Sequence, residues 1–188
     1  MSAHPRSGFA MPSVFSHAVA ACALGTAFRN NETTAPVLVL GALCSVVPDI
    51  DVISFALGIP YEHVLGHRGL THSLPFAAAF ATILVSLLST FGTTQRFSAL
   101  WVYFFLATAS HGVLDAMTTG GLGIAFFAPF DSARYWMPWR PILVSPIGAS
   151  SFFSDRGARV IANELLWVWL PALVFTVLVL PFRRSGTR

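Results

Sequence analysis

Apolar residues along this chain come in long, nearly uninterrupted runs, and polar residues collect between them. One run covers residues 11–28 and closes at Arg29, Asn30, Asn31 and Glu32. A second covers 36–59, broken in its later half by Pro48, Asp49 and Asp51. The third, 73–91, carries no charge. A fourth begins after Arg96 and runs past His111 to Asp115, and a fifth covers 165–182 and ends against Arg183 and Arg184. A helix needs about 20 mostly apolar residues to cross the hydrocarbon core of a bilayer, so the pattern predicts five crossings. The fold class expected is all-α, an integral membrane helical bundle of about five transmembrane helices.

Residues 118–163 differ in texture. Gly120, Gly121, Gly123, Pro129, Pro138, Pro141 and Pro146 break any helix there, and Tyr135, Trp136 and Trp139 alternate with arginines. Trp and Tyr favour the membrane–water boundary, so one long interfacial loop is expected. The domain organisation follows: a flexible N-terminus over 1–10, a single transmembrane domain over 11–182, and a basic tail over 183–188. Gly25-Thr26-Ala27 resembles a signal-peptide cleavage site, but His17 and the apolar continuation argue that the first segment is retained.

Composition agrees. Of 188 residues, 55% are hydrophobic and only 10% charged, whereas a soluble domain is about 25% charged. The net charge of +3 comes entirely from arginine on the basic side, without the basic run and interleaved aromatics of a nucleic-acid binder. Cys22 and Cys44 lie in apolar runs and read as small buried hydrophobes. With five crossings, Arg29, Arg96 and Arg183 share one side close to helix ends. The positive-inside rule then puts that side in the cytoplasm and the opposite end in the periplasm.

Ionisable groups at membrane depth are costly and mark function. Here they are His17, Asp49, Asp51, His67, His72, His111 and Asp115. In a five-crossing bundle all of them fall at one end, whichever way the bundle is inserted. Imidazoles with carboxylates suit a divalent metal, one or two ions, with zinc ahead of manganese. His111 and Asp115, four apart, share a helix face. Asp49 and Asp51, read as extended after Pro48, would share a side and bridge two ions. Taken singly, the groups have plainer readings: His17 as an interhelical hydrogen-bond donor, Asp51 as a helix cap, and His111 with Asp115 as a self-neutralising pair. Glu62 and His63 read as a solvated loop and His4 as part of a frayed end.

A metal at this place points to hydrolysis through an activated water. Arg68, Arg134 and Arg140 are candidates to clamp phosphate, and a site at the interface would take a lipid or lipid-linked substrate. The rival classes are a non-enzymatic metal-binding or transport protein and a structural membrane protein. A metalloprotease is disfavoured because no HExxH is present.

The stretches Pro48-Asp49-Ile50-Asp51, His67-Arg68-Gly69-Leu70-Thr71-His72-Ser73 and His111-Gly112-Val113-Leu114-Asp115, with His17 in the first segment, resemble the YdjM-like family of predicted membrane-bound metal-dependent hydrolases. The likeness runs from about Met11 to Phe182. More distantly, the order His, Asp, His, HxxxD is similar to zinc-dependent phospholipase C. That likeness implies phosphodiester hydrolysis with His17, Asp49, His72, His111 and Asp115 as metal ligands. Asp51 or His67 would serve as a further ligand or general base, and Arg68 and Arg140 would orient the phosphate. No His follows His111, so the later ligands of a three-zinc site have no counterpart here.

Overall fold

The structure, a computed structural model, describes residues 12–28, 34–91, 97–145 and 154–184. The N-terminal 1–10 segment, the topology markers Arg29 and Arg96, and loop residues 146–153 lie outside the described residues, as do the side chains of Arg183 and Arg184.

Each of the five apolar runs contains a helix. They are α1 (Val14–Ala27), α2 (Ala35–Cys44) with the four-residue α3 (Ile53–Ala56), α4 (Leu74–Thr90), α5 (Phe97–Ala116), and a last rod made of α6 (Asp155–Glu164) and α7 (Leu170–Arg184). Among the described residues, three stretches are long and apolar enough to cross a membrane: Ala35–Ala56, Phe97–Ala116 and Asp155–Pro181; Val14–Ala27 and Leu74–Thr90 are shorter apolar helices. Local chemistry sets the starts. Pro36 and Pro75 occupy first turns, where their missing N–H costs nothing, and the Ser73 hydroxyl accepts from the Phe76 N–H.

The central helix is α5, which packs against α4, α1 and α2, while α7 lies along α1. Its Tyr103 and Phe104 join Ala21, Cys44, Ala81 and Val85 in the buried core. Small residues let the helices approach, as is usual in membranes: the Tyr103 ring lies where a Cβ on Gly41 would be. Cys22 and Cys44 are unpaired and half-buried and buried respectively.

Two expectations need correction. The loop does not extend to residue 163: Asp155–Glu164 is a helix, started by the Ser154 hydroxyl accepting from Gly157 N–H, and it runs through a π-helical turn (Leu165–Trp169) into α7. Asp49 and Asp51 are not in extended chain either. Pro48, with its φ already near helical values, opens a 3₁₀ helix over Val47–Val52. At three residues per turn, positions two apart cannot share a side.

The described part of the loop folds over the end of the bundle that holds the polar residues. Ile124 pairs with Tyr135 and Thr118 with Ile142 as isolated bridges. Leu74 N–H donates to Phe126 O at 2.9 Å, and Ala125 N–H to Arg68 O at 3.2 Å. Arg134 staples this loop to the 60s loop by donating to the carbonyls of Tyr61, His63, His67, Arg68 and Gly123.

A candidate metal centre at one end of the bundle

Five elements deliver the seven ionisable residues to one place. His17 comes from the first turns of α1, Asp49 and Asp51 from the 3₁₀ helix, and His67 from the 60s loop. His72 ends the short 3₁₀ turn Leu70–His72, and His111 and Asp115 come from the last turns of α5. His17, His67, His111 and Asp115 are wholly buried and His72 is 3% exposed. Asp49 alone among the proposed ligands reaches solvent, its side chain 11% exposed.

The inner atoms form a compact polyhedron. Nε2 of His72 is 3.1 Å from Nε2 of His111, 3.6 Å from Asp115 Oδ2 and 3.8 Å from Asp49 Oδ1. His111 Nε2 is 3.2 Å from Asp49 Oδ1. Two nitrogens on one tetrahedral zinc, each at about 2.0–2.1 Å, stand about 3.3 Å apart; the 3.1 and 3.2 Å edges match that spacing and the 3.6 and 3.8 Å edges are somewhat longer. His17 stacks on His111 with ring centroids 3.8 Å apart, and its Nε2 is 3.7 Å from Asp115 Oδ1. Three overlapping groups have ligand atoms within 4.8 Å of one another: His17, Asp49 and His111; Asp49, His67 and His72; His72, His111 and Asp115.

Hydrogen bonds fix which atoms face inward. Nδ1 of His111 lies 2.7 Å from the Ser45 carbonyl. A carbonyl only accepts, so Nδ1 carries the proton and Nε2 turns its lone pair to the centre, the usual arrangement around a metal-ligating His. Asp51 does the same for two histidines. Its Oδ2 accepts from His72 Nδ1 at 3.0 Å, from Thr71 Oγ1 at 2.6 Å and from Arg68 N–H at 3.2 Å, and its Oδ1 takes His67 Nδ1 at 2.7 Å. Asp51 therefore holds Nδ1 of His72 while Asp49 Oδ1 stands 3.8 Å from Nε2 on the other side of the ring, and the two do not form a bridging pair. Both oxygens of Asp49, both nitrogens of His17 and Nε2 of His67 are buried with no hydrogen-bond partner.

Charge tells the same story. Three carboxylates against one guanidinium leave −3 + 1 = −2 when the imidazoles are neutral, a surplus too costly to bury without a counter-ion. The orphaned atoms, the ligand-like spacing and the −2 surplus all fit a divalent cation.

Arg68 is wholly buried, and its guanidinium is used within the protein. Nε meets Asp115 Oδ2 at 2.9 Å, one terminal nitrogen donates to Gly120 O at 2.9 Å and the other to Thr118 Oγ1 at 3.1 Å. Its backbone is in the left-handed region at φ 61°, uncommon for a non-glycine and typical of functional sites. The neighbouring glycines are needed here, since a Cβ on Gly66 or Gly69 would run into the carbonyls of Pro60 or Val64. Arg140 is exposed and lies over the Trp136 ring at 4.8 Å, and Arg68 lies over the same ring at 5.8 Å.

Several contributors were not singled out in the sequence: the Ser45 carbonyl, Thr71, Thr118 and Glu164. Thr71 lies inside a stretch already prominent, between His67 and His72. A backbone carbonyl leaves no sequence signal. Glu164 sits at the edge of an apolar run, and that was the available sign. Wholly buried, it accepts from Ser13 N–H and Ser16 Oγ, each at 2.6 Å, and from the Ser13 hydroxyl. Ser16 also takes Trp169 Nε1–H at 3.0 Å, so the last rod is fastened one residue from His17.

Comparison with known proteins agrees in extent with this architecture. A family model described as YdjM inner membrane protein matches residues 11–186. The chain is similar to inner membrane protein YbcI of Escherichia coli (strain K12), 36% identical over 168 residues, which cover 87% of this chain and 94% of that protein. No solved structure matches.

Proposed function

This chain belongs to the YdjM inner membrane protein family, and from that premise we propose that it is a multi-pass membrane-bound metal-dependent hydrolase. Its substrate on this reading is a phosphoester in a lipid or lipid-linked molecule. The observation that carries the reading is the set of four converging atoms, His72 Nε2, His111 Nε2, Asp49 Oδ1 and Asp115 Oδ2, 3.1–3.8 Å apart along the measured edges. These four, with His17 beside them, are the proposed ligands, and zinc suits the mixed nitrogen and oxygen set. When bound, such an ion supplies Lewis acidity and an acidified water.

The protein's own residues divide the remaining work. Asp51 positions His72 and His67. His67, held by Asp51 through Nδ1 with Nε2 unengaged, has the geometry of a general base; with Asp49 and His72 it is also the place for a second ion. Arg68 positions Asp115, and exposed Arg140 is the residue placed to meet a phosphate. Asp49, its side chain 11% exposed while its oxygens stay buried, is followed in the chain by Ile50, Ile53 and Leu57, which are 68%, 61% and 67% exposed, so a substrate approaching there comes along an apolar surface. The arginine bias of the helix ends puts this mouth on the periplasmic side.

Deep burial of the ligands favours a second reading, a closed structural ion that only braces the bundle. Metal content of the detergent-purified protein, with Asp115→Ala and His72→Ala beside it, tests the centre; hydrolysis of a panel of lipid phosphoesters tests the chemistry. Stoichiometric zinc lost in both variants, with metal-dependent turnover, supports the hydrolase. Metal without turnover leaves the bracing ion, and a folded protein that takes up no metal on reconstitution sinks both.

A further inference from the structure

The arginines Arg156 and Arg159 and the grooves beside the last rod take no part in the proposed centre. Arg156 and Arg159, three apart on α6 and so on neighbouring positions of one face, line a cavity of 270 Å³ together with Thr119, Leu143, Val144 and Val160. Both are exposed, and among the described residues neither guanidinium has a carboxylate in ion-pair contact. Two like charges sharing a cavity call for an anion.

A second space lies further along the last rod. It is an apolar groove of 640 Å³, lined by Leu106 and Val113 of α5, Met117 just after it, Leu24 of α1, and Trp167 and Phe175 of the last rod. The order matches on both sides. Towards the groove the seam pairs residues 106–117 with 167–175, and beyond it pairs residue 119 with 156–160. The arginine cavity and the apolar groove thus follow one another along the last rod, with Trp139 packed on Trp167 and Asn163 bonded to Leu143 and Pro141 between them. The His111 and Asp115 side chains leave α5 on another face, buried inward.

We propose that this seam binds one anionic phospholipid from the bilayer, its phosphate on Arg156 and Arg159 and a hydrocarbon chain in the groove. Charge complementarity selects the headgroup, as basic pockets between transmembrane helices do, and the apolar trough selects an amphiphile over a soluble anion. This site is independent of the metal chemistry.

The test is lipid retention by the full-length protein, read by native mass spectrometry after extraction from nanodiscs holding phosphatidylglycerol and phosphatidylcholine. The expected result is one phosphatidylglycerol retained in preference to phosphatidylcholine. R156Q/R159Q should weaken retention about thirtyfold, the loss of two interfacial arginines. Ala172→Phe, which fills the groove without changing charge, should also lower retention. An unchanged helical circular-dichroism spectrum and Tm in detergent mark both variants as folded. Equal retention of the two lipids, or undiminished retention in R156Q/R159Q, overturns the proposal. So does displacement of the lipid by inorganic phosphate alone, which would make the cavity a site for free anions.

Discussion

Replacing Gly112 with alanine separates the metal centre from the fold that carries it. Gly112 lies in α5 between His111 and Asp115, and a Cβ there would sit 2.8 Å from the backbone carbonyl oxygen of His72. Ordinary contact begins at 3.4 Å, so the His72 backbone must retreat by 3.4 − 2.8, or about 0.6 Å. The other neighbours, on Ile124 and Phe126 at 3.5 Å, are already at ordinary distance and need not move. Metal ligands tolerate about 0.2 Å, so a shift of this size pulls His72 Nε2 out of register with His111. Losses of about 10–100-fold in affinity accompany comparable disturbance of a metal's supporting contacts, equivalent to about 1.4–2.7 kcal/mol. Helix propensity works the other way, favouring alanine by about 1 kcal/mol inside a helix. The clash is with backbone, which yields less cheaply than a side chain, and overpacking costs about 1–3 kcal/mol, so the metal-free Gly112→Ala protein should melt level with the parent or modestly below it yet bind zinc at least tenfold more weakly in a chelator competition. Native zinc affinity in this variant would refute the placement of His72 and His111 on one ion.

Asp51→Asn keeps the shape but replaces the anion that accepts from His72, His67 and Thr71; zinc affinity should fall about 10–100-fold by the same competition while the purified protein stays folded. Arg68→Gln leaves Asp115 buried without its guanidinium, and loss of one partner of a buried pair costs about 3–5 kcal/mol, visible as a lowered Tm in detergent. Arg134→Met removes the staple to five carbonyls, and amide exchange at Gly66, Gly69 and Ile124 should accelerate while α4 and α5 stay protected. Adding a chelator to the zinc-loaded parent should lower its Tm; at free metal a thousandfold above Kd the ion contributes about 4 kcal/mol.

The helices were legible because a membrane leaves few choices: residues 73–91 and 165–182 must cross or be buried, α4 falls within the first run, and α7 overlaps the second from Leu170 and continues to Arg184. That the polar residues gather at one end was legible too, because alternating crossings fix it. What the sequence did not disclose is how the polar residues share the work. Asp49 and Asp51 are equivalent in a linear pattern, and only the 3₁₀ pitch turns one towards Nε2 of His72 and the other towards Nδ1. Arg68 read as a phosphate clamp because its type permits that. Its partners Gly120, Thr118 and Asp115 lie some fifty residues away, and no local rule connects them. The helix over Asp155–Glu164 was hidden among the glycines, prolines and aromatics that precede it.

Every proposed ligand, from His17 to Asp115, precedes the last rod in the chain, and so do the carbonyls and hydroxyls that orient them. During synthesis the set of proposed ligands is therefore complete while the final hydrophobic segment is still in the ribosome. That segment is laid against α1 afterwards, and its Glu164 closes on Ser13 and Ser16, next to His17. The carboxylate acts as a latch: a chain that stops short of it carries the full ligand set with the first helix unsecured.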